Sequence, residues 1–195
     1  MLEQANGLIL QGQKQEVQVS KMSYKESIIK SMESLAKEEG TIFMGYNVKY
    51  GSQAYGTLTT IPKEKKLETP LAENLMVGLA IGLSLEGFRP VIFFERHDFI
   101  LNAMDCIINH LSKIEIMSKQ QFKCPVIIRA VVGATKPLNP GPQHTQDFTK
   151  VLKDYVSFPV YELNTPKDVL KYYNLAKKSK GPIIMIEKRD LYDTE

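Results

Sequence analysis

The sequence has little of what small secreted or metal-binding proteins depend on. Cys106 and Cys124 are its two cysteines among 195 residues, too few for a disulfide framework or for a zinc site built on cysteine pairs. No apolar stretch approaches the roughly 20 residues needed to cross a bilayer. Residues 1–20 also lack the basic start and apolar middle of a signal peptide. We therefore expect a protein of the reducing cytoplasm with no membrane partner.

A strong charge of one sign is also missing. The formal net charge is +3, and the lysines are scattered without a basic block carrying interleaved aromatic residues, so nucleic acid is not favoured as a partner. Hydrophobic residues make up 43% and charged residues 24% of the chain, which is typical of an ordinary globular domain. Because this length suits one domain with a full core, function has to come from individual sites.

Familiar nucleotide, metal and hydrolase motifs are absent as well. The sequence contains no GxGxxG, no GxxxxGK[ST], no HExxH and no nucleophile elbow. Self-contained nucleotide, zinc or serine-hydrolase chemistry is therefore not expected, and another kind of metabolite chemistry fits better.

Hydrophobic periodicity predicts helices that alternate with strands. Ser23 and Glu26 form a capping box for a helix that ends by Gly40, and Thr165 caps another helix that has Pro166 in its first turn. The remaining predicted helices are Leu71–Leu85, Asp98–Met117 and a short one near Asp147–Lys153. The predicted strands are Thr41–Met44, Pro90–Phe94, Val126–Val132, Pro159–Leu163 and Ile183–Glu187.

This alternation predicts an α/β fold, a doubly wound and mainly parallel sheet with helices on both faces. Residues 1–21 are predicted to be a flexible N-terminal extension and residues 22–195 a single domain. The stretch Gly45–Lys66 is predicted to be a long loop with a functional or partner-binding role. Ligands of such sheets bind at the carboxyl ends of strands, which directs attention to the loops after Phe94 and Val132.

Glu73 is a carboxylate in an unusual setting. It lies in the segment TPLAEN (69–74), ahead of an apolar run in which Gly78 and Gly82 are four residues apart. A carboxylate that enters an apolar helix is either a first-turn residue that interacts with the helix dipole or a buried acid with a shifted pKa. Periodicity alone favours the first interpretation.

The segment LETPLAENLMVGLAIGLSLEGFRP (67–90) resembles the beta subunits of the 2-oxo-acid dehydrogenases and, more broadly, the transketolase Pyr domain. In that family a TP-x-x-E turn opens a helix of small residues that ends in G-x-RP. The likeness covers about residues 22–188, and the order and spacing of its pieces are specific. It continues through Ala103, Asp105, Ile108, Asn109, the strand with Arg129, and QHTQ (143–146).

The resemblance implies that thiamine diphosphate is the cofactor. At the position of Glu73, the family glutamate hydrogen-bonds a ring nitrogen of the cofactor's aminopyrimidine and promotes its imino tautomer. That tautomer removes the thiazolium proton, and the resulting carbanion attacks a substrate carbonyl. A helix of small, apolar residues supplies the dry site that this needs. Leu71 matches the position that packs beneath the cofactor, and Phe99 matches the aromatic residue that stacks on its pyrimidine ring. Both are equally compatible with plain core positions.

Three further residues are candidates for contact with substrate. His144 matches the family histidine that handles protons or the substrate carboxylate, although a lone loop histidine is more often an ordinary surface residue. Arg96 and His97 follow a predicted strand directly, where the dehydrogenase subunits generally have apolar or polar residues. They either bind a substrate phosphate or carboxylate or form a solvated charged loop.

The chain departs from the family pattern in other ways. Tyr46-Asn47 stands where the family usually has an acidic pair, which puts a proton relay or subunit contact in doubt. The family's beta subunits continue into a second domain, and the GDG-and-Asn motif of the companion domain is absent here. We therefore expect a companion subunit to hold Mg²⁺ and the diphosphate, most simply in an α2β2 heterotetramer.

The sequence thus predicts the pyrimidine-binding subunit of a split thiamine-diphosphate enzyme that acts on a small carbonyl substrate. A transketolase-like, carboligase or 2-oxo-acid decarboxylase activity is favoured over membership of a large dehydrogenase complex, because the docking domain is missing. One alternative is a non-catalytic assembly or regulatory partner, which Tyr46-Asn47 favours and the retained Glu73 and His144 disfavour. Another is a piece of a longer subunit.

Overall fold

A six-stranded parallel sheet organises the chain. The computed structural model describes residues 22–136 and 139–193, and its strands lie in the order β2-β1-β3-β4-β6-β5, every neighbouring pair being parallel. The predicted extension, residues 1–21, falls outside the described residues. The strands are β1 (Thr41–Gly45), β2 (Lys66–Glu68), β3 (Arg89–Phe94), β4 (Ile127–Val132), β5 (Val160–Glu162) and β6 (Ile183–Lys188).

Helices and short helical turns connect the strands. The predicted capping box of α1 is confirmed, because Ser23 Oγ accepts from the Glu26 N–H and the Glu26 carboxylate accepts from the Ser23 N–H. Thr165 caps α5 as predicted. The α-helices are α1 (Tyr24–Ala36), α2 (Glu73–Leu85), α3 (Ile114–Met117), α4 (Thr149–Tyr155) and α5 (Pro166–Lys178); 3₁₀ turns lie at Lys63–Lys65, His97–Ala103, Pro142–His144 and Arg189–Leu191, and a π-helix at Cys106–Leu111.

The structure differs from the prediction in two places. The single helix expected over Asp98–Met117 is instead a 3₁₀ segment, a π-helix and the short α3. A 3₁₀ turn aligns residues three apart, and this places Ile100 and Ala103 together in the core. Strand β2, which begins at the last residue of the predicted loop, was not predicted, because its sequence KLE has one apolar residue and is too short to show alternation.

The sheet is buried on both faces, which confirms the doubly wound prediction. Alternate residues of β1, β3, β4 and β6 pack into two separate apolar clusters. The first cluster contains residues of α1, α5 and the loop after β1. The second contains residues of α2, α4 and the helical segment after β3. Within the described residues no helix is long and apolar enough to cross a bilayer.

A buried ion pair lies within the first of these faces. Arg129 on β4 and Glu187 on β6 are both completely buried, and the guanidinium donates to both carboxylate oxygens, at 2.8 and 3.1 Å. Tyr173 and Tyr192 also donate to Glu187, and Arg129 donates to Thr57 Oγ1 at 3.0 Å. The pair therefore ties β4 and β6 to α5, to the C-terminal turn and to the loop after β1.

Candidate functional site

A cavity of about 310 Å³ opens at the carboxyl ends of β1 and β3, the edge of the sheet to which the sequence directed attention. Five of the six predicted site residues line it, and its lining as a whole comes from four separate segments of the chain. The lining residues are Tyr46, Leu71, Glu73, Met76, Phe93, Phe94, Glu95, Arg96, Phe99 and His144.

Glu73 is the first residue of α2 and is partly buried at the wall of the cavity. The structure therefore places it in the first turn of the helix, as the first interpretation has it. The N-terminus of the helix favours a negative charge there, and Asn102 Nδ2 donates to Glu73 Oε2 at 3.3 Å. A carboxylate can accept about four hydrogen bonds, so this contact orients Glu73 and leaves acceptor capacity for a ligand.

Phe99 and His144 form one wall together. Their rings meet edge to face, with centroids 5.3 Å apart and an interplanar angle of 90°. His144 ends the 3₁₀ turn Pro142–His144 and is partly buried. Gly133, after β4, allows the His144 loop to come close, because a Cβ at residue 133 would lie 1.9 Å from the His144 carbonyl oxygen. The two loops are thus packed backbone to backbone.

Arg96 lies beside the aromatic ring of Tyr55, with its guanidinium carbon 5.8 Å from the ring centroid. Burial raises the pKa of Tyr55 to about 12, so its hydroxyl stays protonated and donates to the Glu95 carbonyl oxygen at 3.0 Å. Arg96 is partly exposed and borders the cavity. A guanidinium in this position can bind a phosphate or carboxylate, and that role stays a prediction.

His97 has a different place from the one predicted. Its side chain is 0% exposed, and it does not line the cavity. Its Nδ1 accepts a hydrogen bond from the Phe148 N–H at 3.3 Å, and burial lowers the pKa of the ring. A completely buried ring offers no surface to a substrate, so the structure contradicts the predicted substrate contact. The neighbouring Asp98 accepts from the backbone and side-chain nitrogens of Gln146, both at 3.1 Å.

Sequence reasoning missed two acidic residues near the cavity. Glu68, at the end of β2, accepts from four successive backbone N–H groups, those of residues 47–50, at 2.7 to 3.2 Å. Glu95 lines the cavity and accepts from Asn47 Nδ2 at 3.1 Å and from Ser52 Oγ at 3.4 Å. The position of Glu95 directly after a predicted strand was an available signal for it. No such signal existed for Glu68, because its strand was not recognised.

The loop between β1 and β2 holds an unusual backbone. Asn47 has a φ of 57°, and Gln53, Ala54 and Tyr55 are three successive residues with φ between 47° and 56°. Residues other than glycine rarely adopt this left-handed conformation, and it persists where surrounding contacts impose it. The hydrogen bonds to Glu68 and Glu95 are contacts of this kind.

One face of α2, together with Leu71 just before the helix, is apolar and exposed. Leu71 is 64% and Leu75 is 52% exposed, and Gly78 and Gly82 are exposed on the same side of the helix. An apolar groove of about 590 Å³ adjoins this face, between α2 and the segment 106–122. Large exposed apolar surfaces mark interaction sites, and this one reaches the cavity at Leu71.

Comparison with known proteins identifies relatives that cover most of the chain. The family model for the transketolase pyrimidine binding domain matches residues 20–194. The chain is 28% identical over 164 residues to the pyruvate dehydrogenase E1 component subunit beta of Rickettsia felis, which covers 82% of this chain and 50% of that protein. It is 25% identical over 179 residues to the 2-oxoisovalerate dehydrogenase subunit beta of Bacillus subtilis, with shares of 89% and 54%.

A solved structure described as a split gene transketolase, inactive beta4 tetramer, has the same fold. The TM-score is 0.67 at 19% identity, covering 86% of this chain and 52% of that one. This chain therefore spans about half the length of the relatives that it matches.

Proposed function

This chain belongs to the family of transketolase pyrimidine-binding domains, and we propose that it is the pyrimidine-binding subunit of a split thiamine-diphosphate enzyme. One observation carries the proposal. The Glu73 carboxylate lies at the start of α2 in the same cavity as Phe99 and His144, as the sequence resemblance requires. The names of the relatives, which describe beta subunits and a split gene enzyme, support the division of the enzyme between chains.

The residues of the cavity fit the pyrimidine half of the cofactor. A volume of about 310 Å³ lies within the usual range of small-molecule sites. Leu71 and Phe99 supply apolar surface for a flat ring, and Glu73 supplies an acceptor for a ring nitrogen. When bound, thiamine diphosphate supplies a carbon nucleophile for attack on a carbonyl group.

The protein side chains then have separate tasks. Glu73 holds a proton in common with the pyrimidine ring, and Asn102 fixes the orientation of its carboxylate. His144, held edge to face by Phe99, gives or takes protons at the substrate, the general acid–base role that histidine most often has in enzymes. Arg96 binds the anionic group of the substrate. The reaction class that follows is the cleavage or formation of a bond next to a carbonyl, as in a transketolase, a carboligase or a 2-oxo-acid decarboxylase.

A companion subunit completes the site in this proposal. No group of three or more His, Cys, Asp or Glu side chains in residues 22–136 and 139–193 is arranged to hold a metal ion. The companion would hold Mg²⁺ and the diphosphate, as the sequence resemblance implies. It would dock on the exposed face of α2, because that face is continuous with the cavity at Leu71. The α2β2 stoichiometry and the cytoplasmic location stay predictions.

The proposal is tested by exchange of the C2 proton of thiamine diphosphate in the reconstituted complex. Glu73→Gln preserves the shape of the side chain and loses the shared proton, so we expect the exchange rate to fall by about 100-fold or more. The matched control is Glu86→Gln, at the exposed C-terminal end of the same helix, which should leave exchange unchanged. Equal exchange in wild type and Glu73→Gln would contradict the assignment and favour a non-catalytic assembly role.

A further inference from the structure

Glu95 is a second carboxylate in the cavity, and the proposed cofactor chemistry leaves it without a task. We infer that Glu95 binds a hydroxyl group of the substrate and so selects α-hydroxylated carbonyl compounds over counterparts that lack the hydroxyl. The inference deepens the proposed function and rests on it.

The protein holds the Glu95 carboxylate from one side. Glu95 follows β3 directly, and its backbone oxygen accepts from the Tyr55 hydroxyl at 3.0 Å. Its Oε2 accepts from Asn47 Nδ2 at 3.1 Å, and its Oε1 accepts from Ser52 Oγ at 3.4 Å. All three donors belong to the loop between β1 and β2, so that loop holds both the backbone and the carboxylate of Glu95 in place.

These contacts leave Glu95 with unused acceptor capacity. An ionised carboxylate can accept about four hydrogen bonds, and each oxygen receives one side-chain donor here, that from Ser52 being long. A carboxylate in a cavity with apolar walls is stabilised when the remaining positions are filled by donors. A substrate hydroxyl is such a donor. A substrate that has a methyl group in place of the hydroxyl excludes water from that position. It leaves the Glu95 carboxylate with fewer hydrogen-bond donors than it can accept.

Hydrogen bonds hold the backbone of the loop between β1 and β2, which gives the contact between Asn47 and Glu95 a defined geometry. Four successive backbone N–H groups of residues 47–50 are held by Glu68. Gly51 has a φ of +58°, and a Cβ there would lie 2.3 Å from Asn47 Oδ1. Glycine at 51 therefore permits the orientation of the Asn47 amide that reaches Glu95. An aspartate at 47 would instead set a second negative charge against Glu95.

Glu95 and Arg96 are neighbours in sequence and both line the cavity. The carboxylate suits a hydroxyl group, and the guanidinium suits a phosphate or carboxylate. A hydroxylated 2-oxo acid and a sugar phosphate share this chemistry. A 2-oxo acid with an unsubstituted alkyl chain can bind Arg96 but offers no hydroxyl group to Glu95. Glu95 therefore distinguishes hydroxylated substrates from substrates that lack the hydroxyl.

The test compares pairs of substrates that differ in one hydroxyl. For the chain reconstituted with its companion subunit, we would measure kcat/KM with hydroxypyruvate and pyruvate, and with glycolaldehyde and acetaldehyde as acceptors. We expect wild type to prefer the hydroxylated member of at least one pair by roughly 10- to 100-fold, the range of one hydrogen bond to a charged group. Glu95→Leu should abolish that preference, and the shape-matched Glu95→Gln should reduce it.

Control variants separate substrate binding from a structural role. Ser52→Ala removes one donor to Glu95 but keeps the carboxylate, so the preference should persist even if overall turnover falls. Glu64→Gln, at an exposed position of the 3₁₀ turn Lys63–Lys65, should change neither. Glu95→Asp, which withdraws the carboxylate by one methylene, serves as the second variant if circular dichroism shows that Glu95→Leu does not fold.

The outcomes distinguish this inference from the proposed function. Equal kcat/KM within both pairs, turnover of none of the hydroxylated compounds, or a preference that Glu95→Leu and Glu95→Gln both retain in full would overturn the inference. If C2 exchange still depends on Glu73 in those cases, the proposed function stands. Loss of that dependence would overturn the proposed function itself.

Discussion

The buried ring of His97 is hydrogen-bonded to the backbone of Phe148, four residues beyond His144, with its Nδ1 accepting from the Phe148 N–H at 3.3 Å. With Nδ1 as the acceptor, the neutral ring carries its proton on Nε2. Asp98, next in sequence, accepts two hydrogen bonds from Gln146. These two residues therefore hold the segment after His144 in place, and His97 acts as a positioning residue.

This relationship predicts a pH-dependent stability. Burial lowers the pKa of His97 in the folded protein, and the nearby Asp147, Asp98 and Lys188 modify that shift. The unfolded chain, with a histidine pKa of about 6.5, then binds more protons than the folded chain as the pH falls. The stabilisation is fully present above pH ~6.5 and is lost as the pH falls through the folded pKa.

Urea unfolding between pH 7.5 and 5 measures this effect. His97→Asn keeps an acceptor near Nδ1 and does not titrate, so the variant should lose less of its free energy of unfolding over this range than wild type. His110, whose side chain is 60% exposed, provides the control His110→Asn, which should follow wild type. Parallel pH profiles for wild type and His97→Asn would refute the prediction.

Gly133→Ala should disturb the His144 loop directly. The new Cβ would lie 1.9 Å from the His144 carbonyl oxygen and 3.3 Å from Arg96 Nη1, so the loop has to move. We expect a loss of about 1 to 3 kcal/mol in stability, together with a lower kcat in the reconstituted enzyme. Gly181→Ala is the control, because nothing lies within 4 Å of its new Cβ. A wild-type kcat and melting temperature for Gly133→Ala would contradict the close packing of the loop after β4 against the His144 loop.

The Arg129–Glu187 pair should matter far more for stability than the ion pairs at the surface. Burial, reinforced by Glu187, raises the pKa of Tyr173 and of Tyr192, so both hydroxyls stay protonated as donors to Glu187. Arg129→Met leaves the Glu187 charge buried without its cation, at a cost of about 3 to 5 kcal/mol. Arg129→Met/Glu187→Gln should recover part of that loss.

Chemical denaturation of these variants tests the buried network. Lys153→Met breaks a partly exposed pair with Glu162 and should cost less than about 1 kcal/mol. A similar loss for Arg129→Met and Lys153→Met would show that the buried pair does not organise the sheet.

The exposed face of α2 should be needed for assembly and not for folding. Leu75 is 52% exposed, so Leu75→Glu should leave the melting temperature of the isolated chain nearly unchanged. A charge buried against the companion subunit without a partner should weaken association by about 10-fold or more. Analytical ultracentrifugation of the mixed subunits measures this, with Leu175→Glu on the exposed side of α5 as the control. Wild-type association by Leu75→Glu would place the interface elsewhere.

Much of the fold was predictable because a sheet that is buried on both faces requires strands with a strongly apolar sequence. β3, β4 and β6 are largely apolar, although each contains at least one charged residue, and strands of this kind are typical of the centre of a parallel sheet. The turn at Glu73 was predictable because its motif is local. In contrast, His97 lies in the polar run Glu95–Asp98, which reads as a solvated loop, and its burial depends on contacts with residues around 147.

The role of Glu95 was not predictable for a related reason. Its carboxylate contacts residues 48 and 43 positions away in the chain, and the donors come from a loop whose left-handed residues follow no local rule. Glu68 belongs to a strand with one apolar residue. It fixes the same loop by accepting from backbone N–H groups, and such contacts do not depend on which side chains the loop carries. Long-range polar contacts of this kind become visible only in the folded structure.

Calorimetric titration of thiamine diphosphate, in the presence of Mg²⁺, tests the central claim most directly. The purified chain would be titrated first alone and then after addition of the companion subunit that carries the GDG-and-Asn motif. Since the diphosphate and its metal supply the strongest charged contacts, we expect weak or no binding to the chain alone and tight binding to the mixture. Tight, Mg²⁺-dependent binding by this chain alone would place the diphosphate site within it and contradict the split-enzyme account.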